Sequence, residues 1–208
     1  SLTSLDLSAN LLLGTGVPQG FAPVFVNQNP NLSCIQIDES QNTSDWVKDE
    51  SGIYSTNCGG ENTIVTIPDT NFEQALIDLG FDTNGLNGNI LTTDAQAIDS
   101  LNVQDPENNT LLPNVSAKIK SLQGIEAMNN LVSLQAGINE LTSIDLSQNT
   151  KLTNLFLNDN QFTNVDASAN IKLARFGIMR NQVTSVDVSM LADLQELFVH
   201  GNQLASVD

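Results

Sequence analysis

"LTNLFLNDNQFTNVDASANIK", residues 152–172, returns in outline every twenty-one residues through the second half of the chain. At that period Leu131, Leu152, Leu173 and Leu194 fall in one column and Asn139, Asn160, Asn181 and Asn202 in another, with no slip of register. The common pattern reads L-x-x-L-x-L-x-x-N-x-L-T-S-x-D-x-S-x-N. Its alternating L-x-L predicts a short strand, and the asparagine after it suits a turn whose backbone groups a side-chain amide can satisfy. A unit this short buries its apolar face only against neighbours stacked on it, which predicts a solenoid. Three full coils (131–193) and part of a fourth (194–208) are present.

The 208 residues are 40% apolar, enough for a core in one or two domains. Seven Lys and Arg against twenty-four Asp and Glu give a net charge of −17. That sign repels nucleic acid and anionic lipid, so neither is an expected partner. The charge is uneven: residues 1–117 hold fifteen acids and one base, residues 118–208 nine acids and six bases. No stretch has the roughly eighteen to twenty apolar residues of a membrane span, so no membrane insertion is expected. "LTSLDLSAN" (2–10) matches "LTSIDLSQN" (141–149) position for position, so the chain opens within a repeat pattern and reads as a fragment.

The twenty-one-residue T-S-φ-D-φ-S form resembles the leucine-rich repeats of secreted Bacteroidetes-type surface proteins. "IKSLQGIEAMNNLVSL" (119–134) is similar to the start of an internalin-like array, whose first coils have a short helical convex side. The fold this implies is an α/β leucine-rich-repeat solenoid with a parallel sheet on its concave face and helical caps. Before the array, "IPDTNFEQALIDLG" (67–80) predicts an amphipathic helix, with Thr70 and Glu73 at capping-box spacing, Phe72, Leu76, Ile77 and Leu79 on the apolar face, and Gly80 at its end. A second short helix is expected around "TTDAQAID" (92–99), a strand at 101–103, and an exposed loop at "QDPENNTLLPN" (104–114).

The domains expected are therefore 1–60, the carboxy-terminal repeats and cap of a first module; 61–118, the helical amino-terminal cap of a second; and 119–208, the second array, continuing beyond the fragment. "LSCIQID" (32–38) keeps the strand spacing, and "DWVKDESGIYS" (45–55) is similar to the short carboxy-terminal cap of such proteins. Cys34 and Cys58, the two cysteines, both fall in that cap, where a disulfide would add about 3 kcal/mol. The pairing goes with an extracellular or bacterial cell-surface location; the other reading is two buried thiols in a cytosolic protein.

Nothing marks a catalytic centre. His200 is the single histidine, and no nucleophile elbow, H-E-x-x-H or glycine-rich phosphate loop occurs, so the chain is not expected to be an enzyme. The Asp column (Asp145, Asp166, Asp187, Asp208) reads as turn-capping residues rather than a cation ladder. "DTNGLNGNILTTD" (82–94) sets acidic and amide oxygens, a glycine, an apolar residue and a distal carboxylate in the order of a calcium loop. Asp82, Asn84, Asn87 and Asp94 are the candidate metal ligands, with one residue too many before Gly88 and with Leu86 where an oxygen is expected. A plain Gly/Asn turn is the alternative; calcium, if bound, would rigidify the cap, and no other cofactor is expected.

Residues flanking the buried leucines face outward from the concave sheet. Successive coils offer Ser133, Asn154, Arg175 and Glu196 in one column, Gln135, Phe156, Gly177 and Phe198 in the next, then Gly137, Asn158, Met179 and His200. Phe156, Arg175, Met179, Arg180, Phe198 and His200 are the candidate ligand-binding residues, because aromatic and arginine side chains dominate interface hot spots. The function expected is a non-catalytic, adhesin-like module binding a protein or a glycan; the rival is a structural spacer or display module in a multi-domain bacterial surface protein. Oligomeric state is not legible.

Overall fold

The computed structural model describes residues 63–207 throughout and, before them, the backbone of three short strands. The chain divides into two units, Ser1–Thr63 and Ile64–Asp208. In the first, β1 (Ser4–Asp6), β2 (Cys34–Gln36) and β3 (Ile53–Ser55) form a parallel sheet in that order, with Leu5, Ile35 and Tyr54 in register. Parallel pairing across a long connection is what one coil per strand produces. The expected Cys34–Cys58 disulfide lies outside the described residues, since only the backbone of Cys34 is among them.

The second unit opens with β4 (Ile64–Thr66), helix α1 (Thr70–Asp78), β5 (Asn89–Leu91), which pairs antiparallel with β4, and helix α2 (Thr92–Ala97). The start of α1 differs from the capping-box reading. Asp69, not Thr70, is the N-cap: its Oδ1 accepts the amide hydrogens of Asn71 and Phe72 at 2.9 and 3.1 Å. Its other oxygen accepts those of Lys120 and Ser121 at 2.7 and 2.9 Å, which ties the helix to the first turn of the array. Glu73 is thereby released from the cap and is 1% exposed. The helix ends at Gly80 as expected: Gly80 (φ 76°) donates to Ile77 O and Phe81 to Leu76 O, a Schellman motif.

The solenoid follows. Strands β6 (Ser100–Asn102), β7 (Ser133–Gln135), β8 (Asn154–Phe156), β9 (Arg175–Gly177) and β11 (Glu196–Phe198) make a five-stranded parallel sheet in chain order. The strand expected at 101–103 is thus displaced by one residue and supplies the first rung of the sheet. A 3₁₀ turn at Ile125–Ala127 gives the convex side of the first coil its short helical piece. Opposite the sheet the coils are irregular until β10 (Ser185–Val186) and β12 (Ser206–Val207) pair.

Inside run stacked apolar columns. Leu101, Leu134, Leu155 and Phe176 sit in register and are at most 1% exposed, as are Leu131, Leu152 and Leu173 beside them. Asn139, Asn160 and Asn181 complete each coil: Asn160 Oδ1 accepts the Leu141 amide hydrogen, and its Nδ2 donates to Leu157 O and, in the preceding coil, Ala136 O. Asn181 repeats this with Phe162 N, Ile178 O and Leu157 O. Segment 104–114 is, as expected, a loop exposed over most of its length, with two residues turned inward. Leu112 is 1% exposed and Pro106 is buried, and Asp78 at the end of α1 accepts both the backbone and side-chain N–H of Asn114 at 2.8 Å, which ties the end of the segment to the helix. Burial works against ionising Asp78, but the Asn114 and Gln74 hydrogen bonds outweigh it and leave its pKa lowered.

Candidate functional site

Strand pairing decides which side chains share the concave face. The register aligns Ser133, Asn154, Arg175 and Glu196 in one row and Gln135, Phe156, Gly177 and Phe198 in another, as the sequence period requires. Rows of neighbouring strands are about 4.8 Å apart, so Phe156 and Phe198 lie about two such spacings apart with Gly177 between them. A Cβ placed on Gly177 would meet Phe156 Cδ1 at 2.8 Å and Asn158 Oδ1 at 3.1 Å. The missing side chain therefore lets the Phe156 ring lie over β9, and Gly177 belongs to the site although it offers no atoms to a ligand. Phe198 is 37% exposed and Phe156 half-buried.

The next row continues past the strand ends. Asn158 Oδ1 accepts the Met179 amide hydrogen at 2.8 Å, which fixes the backbone beside Gly177; Met179 is half-buried and His200 exposed. Ile138, Asp159 and Arg180 then take positive φ (56°, 56° and 51°), and Gly201 (φ 74°) fills the same position in the following coil. At that bend Arg180 and Asp159 form a two-point ion pair, with Nη2 at 2.6 Å from Oδ2. Arg175 meets Glu196 across the sheet at 3.2 Å, both side chains being about half exposed. Both pairs are open to solvent and screened by it, so both arginines can turn to a ligand at little cost. The Asp159 contact holds the Arg180 guanidinium above its ordinary pKa.

Phe156, Arg175 and Phe198 thus lie on β8, β9 and β11, and Met179, Arg180 and His200 on the turns that follow β9 and β11. Two residues that support this face, Gly177 and Asn158, were visible in the sequence as column members but carry no hot-spot chemistry. The concavities of about 180 and 210 Å³ lie elsewhere, between the T-S-φ-D-φ-S segments, lined by Asp145, Asp166 and Asp187 among others. Each of these aspartates accepts the amide hydrogen of the serine two residues on, at 2.9 Å. That is turn capping, and it lowers all three pKa values.

In the cap, Asp94 Oδ2 accepts from Thr83 N and Oγ1 at 3.1 and 2.6 Å, and Asn87 Oδ1 accepts from Asn89 N at 3.1 Å. Asp82 and Asn84 are drawn into the loop, with Asp82 6% exposed. Desolvation, opposed by the N–H groups of Asn84 and Gly85 and reinforced by the nearby Glu73 and Asp94, raises the Asp82 pKa. Among the described residues no three His, Cys, Asp or Glu side chains gather for a metal, and no helix is long and apolar enough to cross a membrane.

Sheet, repeat length and asparagine columns together define a leucine-rich-repeat solenoid of about four turns. The functional domain of InlJ from Listeria monocytogenes, described as including a cysteine ladder, is similar to it: 27% identity, a TM-score of 0.60, 71% of this chain covered and 31% of that one. Two internalins of the same organism, InlF and InlC2, match at 22% and 20% identity over 67% and 70% of this chain and 45% and 73% of theirs, with TM-scores of 0.46 and 0.41. The chain thus spans less than a third of the InlJ domain it matches. No family model and no curated protein matches the chain. The likeness is to internalin-type repeats, and no catalytic family is indicated.

Proposed function

We propose that the chain is a non-catalytic binding module of a bacterial surface protein of Bacteroidetes type, extracellular or cell-surface in location, that recognises a protein or glycan across the concave sheet. The observation that carries this is the alignment of Phe156, Gly177 and Phe198 in one row, flanked by Arg175 on one side and Met179 and His200 on the other. The solenoid core does not need these groups. Its buried positions are the alternate residues Leu155, Phe176, Leu157 and Ile178, so side chains on the outer rows are free to serve recognition. Apolar rings with arginine beside them are the composition of interface hot spots.

The test is capture from an array of purified surface proteins and polysaccharides, followed by Phe156→Ala and Phe198→Ala. Each variant should keep the wild-type melting temperature within a few degrees and lose about tenfold or more in affinity for a verified ligand, as anchor residues do. Unchanged affinity in the double variant would remove the concave face from the binding role. Silence of the wild type across the array would favour the spacer reading.

A further inference from the structure

Glu73, Asp82 and Asn84 sit around one loop of the cap and each carries a buried oxygen without a hydrogen-bond donor: Oε2, Oδ2 and Oδ1. Their other atoms are firmly engaged. Glu73 Oε1 accepts three successive amide hydrogens, from Asn87, Gly88 and Asn89, at 2.6, 2.6 and 3.1 Å. Asp82 Oδ1 accepts from Asn84 N at 3.1 Å, and Asn84 Nδ2 donates to Asn89 Oδ1 at 2.8 Å, which fixes which end of that amide remains over. Two carboxylate oxygens and an amide oxygen, each buried and borne by or hydrogen-bonded to the same loop, are all acceptors, and buried acceptors are seldom left without a partner. The missing partner must be positive or supply several donors.

We propose that this loop is a calcium site, with Glu73, Asp82 and Asn84 as its protein side-chain ligands. Oxygen-only donors in a flexible Gly-containing loop suit a hard cation of high coordination number, the remaining positions falling to backbone carbonyls and water. Gly85 and Gly88, at φ 83° and 84°, give the loop the bends it needs to fold round such an ion. Of the ligands expected from spacing, Asp82 and Asn84 remain. Asn87 instead donates to Asn84 O, Asp94 holds Thr83, and Glu73, fourteen residues before Asn87, takes the place that linear spacing assigned to a later residue. The site is independent of any concave-face ligand and would lock the loop to helix α1.

Calorimetric titration of the chelator-treated 208-residue chain with CaCl₂ tests this. One ion per chain should bind, with Kd between about 10⁻⁵ and 10⁻³ M, and more tightly than Mg²⁺. Saturating calcium should raise the melting temperature by about 3 °C or more. Glu73→Gln keeps the oxygen that accepts the three amides and adds a donor where Oε2 stood. It should lose at least about tenfold in calcium affinity yet melt higher than wild type without calcium, opposite signs that loss of a purely structural group would not give. Asp82→Asn should behave the same way, whereas Asp94→Asn should bind calcium nearly as wild type does. No saturable calcium heat, calcium affinity unchanged in both Glu73→Gln and Asp82→Asn, or a calcium-free Glu73→Gln that melts below wild type would each overturn the assignment. So would loss of binding confined to Asp94→Asn, which would restore the linear motif.

Discussion

At the scale of single residues the two asparagine columns separate by what they satisfy. Asn160 serves a donor and acceptors at once, through Leu141 N, Ala136 O and Leu157 O. Asn170, fully buried on the other side of the coil, only donates, to Leu146 O and Asn149 O, and its own Oδ1 has no partner. Truncation removes the same volume at both sites, so the difference isolates hydrogen bonding. Asn160→Ala leaves a buried N–H orphaned and should cost about 2–4 kcal/mol; Asn170→Ala leaves carbonyls, which tolerate under-satisfaction better, and should cost about 1–2 kcal/mol. Urea titration of the two variants gives the comparison, and equal losses would mean that cavity rather than hydrogen bonding governs both. The next coil already shows the tolerance, since Leu191 occupies the position of Asn170 one repeat on. Residue roles of this kind were half legible. Column membership follows from the period, but Glu73 was misread because its distance from Thr70 fits a capping box, while Asp69, one residue earlier, has the same chemistry and took the cap. Its tertiary partners at 87–89 leave no mark in local spacing.

At the scale of elements, the repeated turns carry a pH dependence whose sign follows from the capped aspartates. Ser147 and Ser189 donate to Asp145 and Asp187 from both backbone and hydroxyl, and Ser168 does so to Asp166, holding each carboxyl below its ordinary 3.8. A pKa depressed on folding contributes stability that is present above the unfolded value and lost as pH falls through the folded one. Melting temperature should therefore drop between about pH 4 and pH 2, more steeply than in the triple Asp145→Asn, Asp166→Asn, Asp187→Asn variant, whose amide oxygens still cap the turns but cannot titrate. Parallel curves would exclude these turns as the acid-sensitive elements. Strand β9 makes a second prediction. Gly177→Ala puts a methyl 2.8 Å from the Phe156 ring, so the ring must move off β9; a stability loss of about 1–3 kcal/mol and a shifted Phe156 ring resonance are expected. The sheet itself was readable in advance, strand by strand, because period two within a coil and period twenty-one between coils both act on the same leucines. Loop 104–114 was legible as an exposed loop from its turn-forming composition, which nevertheless conceals the burial of Leu112 and the Asp78–Asn114 contact.

At the scale of the molecule, a stack of coils is a chain of nearest-neighbour interfaces, so stability should vary along it rather than belong to the whole. Burial grades in that way. Leu134, Leu155 and Phe176 are fully enclosed, whereas Leu197, next in the same column, and Leu194, Val199 and Leu204 around it are only partly buried, because β11 has a strand beside it on one side alone in the described sheet. An interior coil is covered by two neighbours and loses both contacts when its leucine is truncated. Leu155→Ala should accordingly cost about 3–4 kcal/mol, and Leu197→Ala about 1–2 kcal/mol. Native-state amide exchange should rank the rungs in the same order, with the amides of Leu155 and Leu157 opening only on global unfolding and that of Leu197 through cheap local fraying. For recognition, Phe198 and His200 belong to β11 and the turn after it, whereas Phe156 and Met179 belong to β8, β9 and the turns after those. A ligand that engages all four should slow exchange at β8, β9 and β11 together, and one that slows exchange only at β8 and β9 would place recognition on Phe156 and Met179 without β11.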